Sequence, residues 1–333
     1  MKKNTGAGAF FSRNLREFAL AAMIILVAVL VQIRTGGGFF TSANLYDLLR
    51  EASILIMVSM GLMMVILTGG IDLSMGSVMG LCGMLGALIL KNNQEINLVL
   101  LFVIAMAIGA FCGLINGFIV AKLHVFPLIA TLATEYIFRG VIYLFSGGAW
   151  VAQAEMTPEF ISVATAKILG INSLIWFAII VTILTFIFLR YTARGRSLYA
   201  VGNSEVSAAV TGIGVRKVKV MAYSLCGTIC GLAGLLWICK YGNAQSESCE
   251  GYEISVIAAV AAGGCSIAGG QGTVPGVVLG ALLIGTLNNI LPLIQVSTYW
   301  QQAIKGAVIL LSVIVNAISQ ERVTKSELKR RVL

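Results

Sequence analysis

Charge is what this sequence has least of. Only 11% of its 333 residues are Asp, Glu, Lys or Arg, where a soluble domain carries about a quarter. It has a single histidine, His124, which excludes histidine-based zinc sites and leaves no histidine chain for a proton relay. No GxxxxGK[ST] phosphate loop occurs, so the chain does not itself hydrolyse ATP. HExxH and GxSxG are missing too, and enzyme readings therefore have no motif behind them. The seven cysteines form no CxxC pair. Most lie in apolar runs, where cysteine acts as a small hydrophobe. Cys226 and Cys230, one helical turn apart, suit shared packing. Cys239 and Cys249 flank a polar loop, which leaves a pairing open in an oxidising compartment.

What the chain has instead is hydrocarbon. Hydrophobic residues make up 58% of it, and the mean hydropathy is +0.94. Apolar runs recur at about 18–33, 52–68, 75–90, 97–120, 126–145, 172–189, 218–239, 253–268, 274–290 and 300–318. A large soluble core would not repeat runs of bilayer length along its whole sequence. The fold class expected is all-α, a polytopic membrane protein of about ten spans forming one transmembrane domain over 1–333. No small-x-small cleavage site follows Ile33, so the first run reads as a retained helix. The 37 glycines fit close helix packing in lipid.

The net charge of +9 suggests nucleic acid only until its placement is read. An even number of spans puts both termini on one side. With that side cytoplasmic, sixteen of the 23 basic residues fall in inside segments and five in outside ones. This is the positive-inside pattern, and it predicts cytoplasmic tails at 1–16 and 319–333. No nucleic-acid partner is expected.

Between the second and third runs lies Thr68-Gly69-Gly70-Ile71-Asp72-Leu73-Ser74-Met75-Gly76. A carboxylate beside hydrocarbon costs a few kcal/mol even on the milder scales, so Asp72, with Ser74, is a candidate for the transport pathway. The plainer reading is that Asp72 caps the following helix. The flanking runs, 52–68 and 75–90, are shorter than a straight span needs, and short glycine-interrupted segments are a pointer to a pathway. A similar junction, rich in glycine from 263 to 272, joins the eighth and ninth runs. The pair hints at an internal duplication, although glycine-rich junctions are common in membrane proteins.

The longest inside loop, 190–218, is basic at first and then reads Gly202-Asn203-Ser204-Glu205-Val206-Ser207-Ala208-Ala209-Val210-Thr211-Gly212-Ile213. Asn203 or Ser204 can cap a short helix, Glu205 suits its positive first turn, and Gly212 can end it. Such a helix is a knob for a partner's groove, or else an amphipathic connector lying on the bilayer. Charged residues also occur inside spans. Glu135 and Arg139 are four apart on one helix face, and Glu253 opens the eighth run from the same side. They are read as a structural ion pair or as pathway lining. Asn288, Asn289, Tyr299, Gln301 and Gln302 are uncharged hydrogen-bonding groups of the kind a neutral polyol needs, and equally ordinary interfacial anchors.

Several stretches resemble the ribose-type permeases of ABC importers, the membrane subunits of binding-protein-dependent sugar uptake. The string Ile66-Leu67-Thr68-Gly69-Gly70-Ile71-Asp72-Leu73-Ser74 resembles that family's signature. Phe39-Phe40-Thr41-Ser42-Ala43-Asn44-Leu45, Leu128-Ile129-Ala130-Thr131-Leu132 with Arg139-Gly140-Val141, and Gly251-Tyr252-Glu253 with Gly263-Gly264 and Ala268-Gly269-Gly270 add to the likeness. Glu135 departs from it, standing where an apolar residue is expected. The resemblance implies a multi-pass protein of the bacterial inner membrane with no cofactor and no metal of its own. Gly202, Asn203, Ser204, Glu205, Ala208, Ala209, Gly212 and Ile213 would dock on separate ABC ATPase subunits, which bind ATP-Mg. A periplasmic or lipid-anchored sugar-binding protein would deliver the substrate, and the permease would pair with itself or with a similar subunit. Ribose or another monosaccharide is the expected cargo. An autoinducer-2 permease of the same family, an ion-coupled carrier using Asp72, Glu135 or Arg139, and a sensory membrane partner are the alternatives.

Overall fold

The computed structural model describes residues 15–34, 36–297, 299–301, 303–304, 306–307 and 310. Among them the chain is helical with four two-residue strands. The helices are α1 (Leu15–Arg34), α2 (Ser42–Leu67), α3 (Met75–Asn92), α4 (Leu98–Lys122), α5 (Pro127–Ser146), α6 (Pro158–Thr165), α7 (Ser173–Tyr191), α8 (Ala193–Asn203), α9 (Glu205–Val210), α10 (Val215–Tyr241), α11 (Tyr252–Ala262) and α12 (Val274–Leu293). Seven of these, α2, α3, α4, α5, α7, α10 and α12, are long and apolar enough to cross a membrane. The first apolar run lies within α1. Most of the tenth, 300–318, falls outside the described residues, Gln302 included, and so does the tail from 319.

Three sequence expectations need correction. The second run is not short: α2 has 26 residues and begins at Ser42. Asp47, Arg50 and Glu51 lower its hydropathy without interrupting the helix, and the Thr41 hydroxyl caps it by accepting from Asn44 N–H at 3.3 Å. The eighth run is a helix only to Ala262, because Gly263 ends it and Gly264 turns left-handed at φ +85°. The gap between the first and second runs is half helix as well, since α2 starts at Ser42.

α2 sits at the centre, with most of its apolar window buried. α10 packs along α4, α3 and α2, while α12 lies against α2, α11 and α1. These interfaces follow the glycines, which let backbones meet where no hydrophobic force separates helix from lipid. Side chains at Gly109, Gly113 or Gly117 of α4 would run into the backbone of α10 at Gly227, Tyr223 and Val220. On α12, Gly276 and Gly280 press on Gly263, the residue that ends α11, in the same way. By contrast α4 and α5 keep much of their surface outside the bundle, showing Phe111, Tyr136 and Leu144.

The connections sort to two ends. At one end Val151–Ala152 (β1) pairs antiparallel with Asn243–Ala244 (β4), and Lys167–Ile168 (β2) with Ile171–Asn172 (β3). Lys91 and Glu155 form an ion pair of 2.8 Å there, and that ammonium holds the Glu155 carboxyl below its usual range. At the other end the junctions 68–74 and 263–272 lie together against the end of α8. That is the same division of loops that the charge pattern makes.

Candidate functional site

The junction after α2 is built around a carboxylate. Gly69 turns left-handed at φ +76°, which glycine does without steric cost, and the chain then runs without regular structure to Ser74. Asp72 is buried, and its Oδ1 accepts from Ser74 N–H at 2.9 Å and from the Ser74 hydroxyl at 2.7 Å. Asp72 thus binds the residue before α3 and not the first turn of α3. The helix N-cap is Ser74, and its side chain makes no capping bond to the helix.

The Ser74 hydroxyl is held in turn. Asn116 of α4 donates to it through Nδ2 at 2.7 Å, and Thr134 of α5 donates to Asn116 Oδ1 at 2.7 Å. All four side chains are buried. Each donor points toward Asp72, so the relay ends on the one group that only accepts when ionised. The backbone of the junction is pinned from both sides. Leu73 N–H donates to Thr131 Oγ1 at 3.0 Å, and Tyr223 Oη of α10 donates to the Ile71 carbonyl at 3.1 Å. In lipid every backbone group of a helix break needs such a partner.

Asn116, Thr134 and Tyr223 were not singled out from the sequence. Asn116 had a signal, a lone amide in a 25-residue apolar helix. Thr134 and Tyr223 had none beyond their polarity.

Arg139 forms neither of the pairs expected for it. No salt bridge joins it to Glu135 or Glu253 among the described residues. Its Nη1 instead donates to the carbonyls of Ser246 at 2.7 Å and Ser248 at 3.0 Å, clamping the 243–251 loop. Its Nη2 and Glu253 Oε2 are buried without hydrogen-bond partners among the described residues. Both side chains lie on the glycine face of α3, Glu253 at Gly76 and Arg139 at Gly80. Glu135 is half-buried nearby on α5.

Asn289 donates through Nδ2 to Asn44 Oδ1 at 3.1 Å and so ties α12 to α2, while Asn288 Oδ1 is buried without a partner among the described residues. Tyr299 is exposed, and Gln301 donates to the Val296 carbonyl. Among the described residues none of the seven cysteines is in a disulfide, Cys239 and Cys249 included. His124 is an exposed connector residue at φ +57°.

The 190–218 loop holds the short helix expected of it. Ser204 caps α9 by accepting from Ser207 N–H at 3.2 Å, Glu205 stands in the first turn, and Gly212 follows at φ +84°. Ala208 faces inward, Ala209 outward, and Ile213 is half-buried. Two features were missed. A longer helix, α8, precedes α9 and ends at Asn203. Val206 and Val210, one turn apart on α9, are 77% and 83% exposed. Glu205 is also engaged within the chain, by Lys219 at 2.6 Å.

Comparison with known proteins agrees with this architecture. A family model described as "Branched-chain amino acid transport system / permease component" matches residues 44–313. The chain is 38% identical over 304 residues to the ribose import permease protein of Escherichia coli K12, covering 91% of this chain and 94% of that one. It is 37% identical over 317 residues to the Haemophilus influenzae ribose import permease, covering 94% and 97%. An autoinducer 2 import system permease of Yersinia enterocolitica is 32% identical over 310 residues, covering 93% and 84%. No solved structure matches. The chain therefore belongs to this family of transport-system permease components, among the ribose-type ABC permeases.

Proposed function

We propose that the chain is the membrane subunit of an ATP-driven importer of ribose or a related monosaccharide. The observation that carries this reading is the α8–α9 segment. It offers a capped helix with two bare valines to the exterior, and it rests on the two helix junctions at the same end of the bundle. An exposed apolar turn backed by the permease interior fits a partner's groove. That partner is an ABC ATPase, which binds ATP-Mg and hydrolyses it, so the permease contributes no catalytic residue. With both termini cytoplasmic, as the basic residues suggest, this end would face the cytoplasm from the bacterial inner membrane. The opposite end, with β1–β4 and the Arg139-clamped loop, then faces a sugar-binding protein. A second permease copy or a similar subunit completes the pathway along the exposed faces of α4 and α5.

The cargo assignment leans on the ribose import permeases among the relatives. The autoinducer 2 permeases keep a modified sugar as the other candidate. An ion-coupled carrier is less well supported, because Asp72 spends its carboxylate on Ser74 and Arg139 spends its guanidinium on backbone carbonyls.

Docking is tested by co-purifying the ATPase with the tagged permease. Val206→Asp with Val210→Asp places unpaired charge in the contact, and retention of the ATPase is expected to fall at least about tenfold, as for loss of a central apolar anchor. Undiminished retention would remove α9 from the interface.

A further inference from the structure

Three segments that are distant in sequence meet at one point through bare backbone. Gly202, the penultimate residue of α8, lies against Leu67 at the end of α2 and Gly270 in the second junction. A Cβ on Gly202 would collide with the Leu67 carbonyl oxygen and the Gly270 amide nitrogen. Those two groups are hydrogen-bonded to each other, Gly270 N–H donating to Leu67 O at 3.0 Å. A Cβ on Gly269 would come within 2.8 Å of Gly69 N and 3.1 Å of Gly202 Cα. One on Gly270 would lie 2.8 Å from Asn203 Cγ. Gly69, Gly269 and Gly270 are all left-handed, with φ of +76°, +93° and +73°. Tyr199, one turn earlier on α8, donates to the Gly272 carbonyl at 3.2 Å. At Gly202 and Gly269 the nearest contacts are backbone to backbone, with only Asn203 presenting a side chain, against Gly270, so little can flex to absorb a displacement.

We propose that Gly202 is the positioning residue through which the α8–α9 segment moves both helix junctions at once. A shift of α9 reaches Gly202 along α8. From there it passes directly to Gly69, where α2 breaks, and to Gly269 and Gly270, which precede α12. The two junctions are joined by the Gly270–Leu67 hydrogen bond, so they move as one unit. Packed contacts of this kind switch between discrete arrangements and do not deform continuously. The proposal rests on the importer reading and adds to it the place where the partner's motion enters the membrane helices.

The test uses the full complex of permease, ATPase and sugar-binding protein in proteoliposomes, with sugar uptake and ATP hydrolysis measured together. Gly202→Ala is expected to lower the sugar imported per ATP hydrolysed by roughly tenfold, within the range for substitutions along a coupling network. An unchanged ratio would overturn the proposal. Retention of the ATPase is measured alongside, so failure of the importer reading shows as a missing partner with the unaltered chain. Should Gly202→Ala not fold, hydrogen exchange on the unaltered complex decides. Trapping the ATPase with ATP and vanadate is expected to change exchange at 67–70 and at 268–271 together. A change at one junction without the other would overturn the proposal.

Discussion

At Asp72 the polar relay places a cost on each residue that can be measured. Interhelical hydrogen bonds in membrane proteins average about 0.6 kcal/mol. Asn116→Ala removes two of them and opens a cavity between α4, α5 and the junction, so a loss of about 1–2 kcal/mol is expected. A lowered unfolding temperature of the detergent-purified protein would show it; no change would mean that the relay is not under load. Arg139 is a stronger case, since each bond from a charged donor is worth about 1.5–3 kcal/mol. Arg139→Ala should destabilise the 243–251 loop, and adding Glu253→Ala should not restore it, because the partners are the Ser246 and Ser248 carbonyls. Rescue by Glu253→Ala would reinstate the ion pair that the sequence suggests. That pairing was misread for a plain reason. Helical spacing places Glu135 and Arg139 on one face, but which group a guanidinium reaches depends on a loop more than a hundred residues away. Asp72 and Ser74 were legible because a carboxylate among glycines between apolar runs has few ordinary explanations. Tyr223 was not, because a tyrosine in an apolar helix reads as interfacial until the structure buries it.

Among the elements, the short helix α9 was read almost residue by residue: its Ser204 cap, its Glu205 first turn and its Gly212 stop all come from local rules that need no tertiary contact. The helix before it was missed because Ala193–Asn203 carries three arginine and glycine residues in its first turn and has no apolar stripe to announce it. The contact of Glu205 with Lys219 changes what a charge reversal means. Glu205→Lys sets two ammonium groups side by side and should weaken ATPase retention. The swap with Lys219→Glu should restore it if Glu205 acts by positioning α9 on α10. Failure of the swap, with the double variant folded, would place Glu205 against the ATPase itself. The pair is half-exposed on the Glu205 side, so its contribution to overall stability is expected to stay under about 1 kcal/mol. Unfolding of both single variants near the parent temperature would agree.

For the whole molecule, composition alone pointed to a multi-pass helical protein and its glycines to close packing, but which helices meet came only from the structure. The meeting of the two junctions was not legible, since nothing in either stretch states its distance from the other. Helix ends were misplaced where charge and helicity part company, as in the first three turns of α2. The central claim is that these helices form a conduit driven by a separate ATPase. Its most direct test is uptake of radiolabelled ribose by transport-null cells carrying this chain with and without an ATPase subunit and a sugar-binding protein. The account predicts uptake that needs all three proteins and survives collapse of the proton gradient. Ribose uptake by this chain alone, abolished by the same collapse, would contradict it.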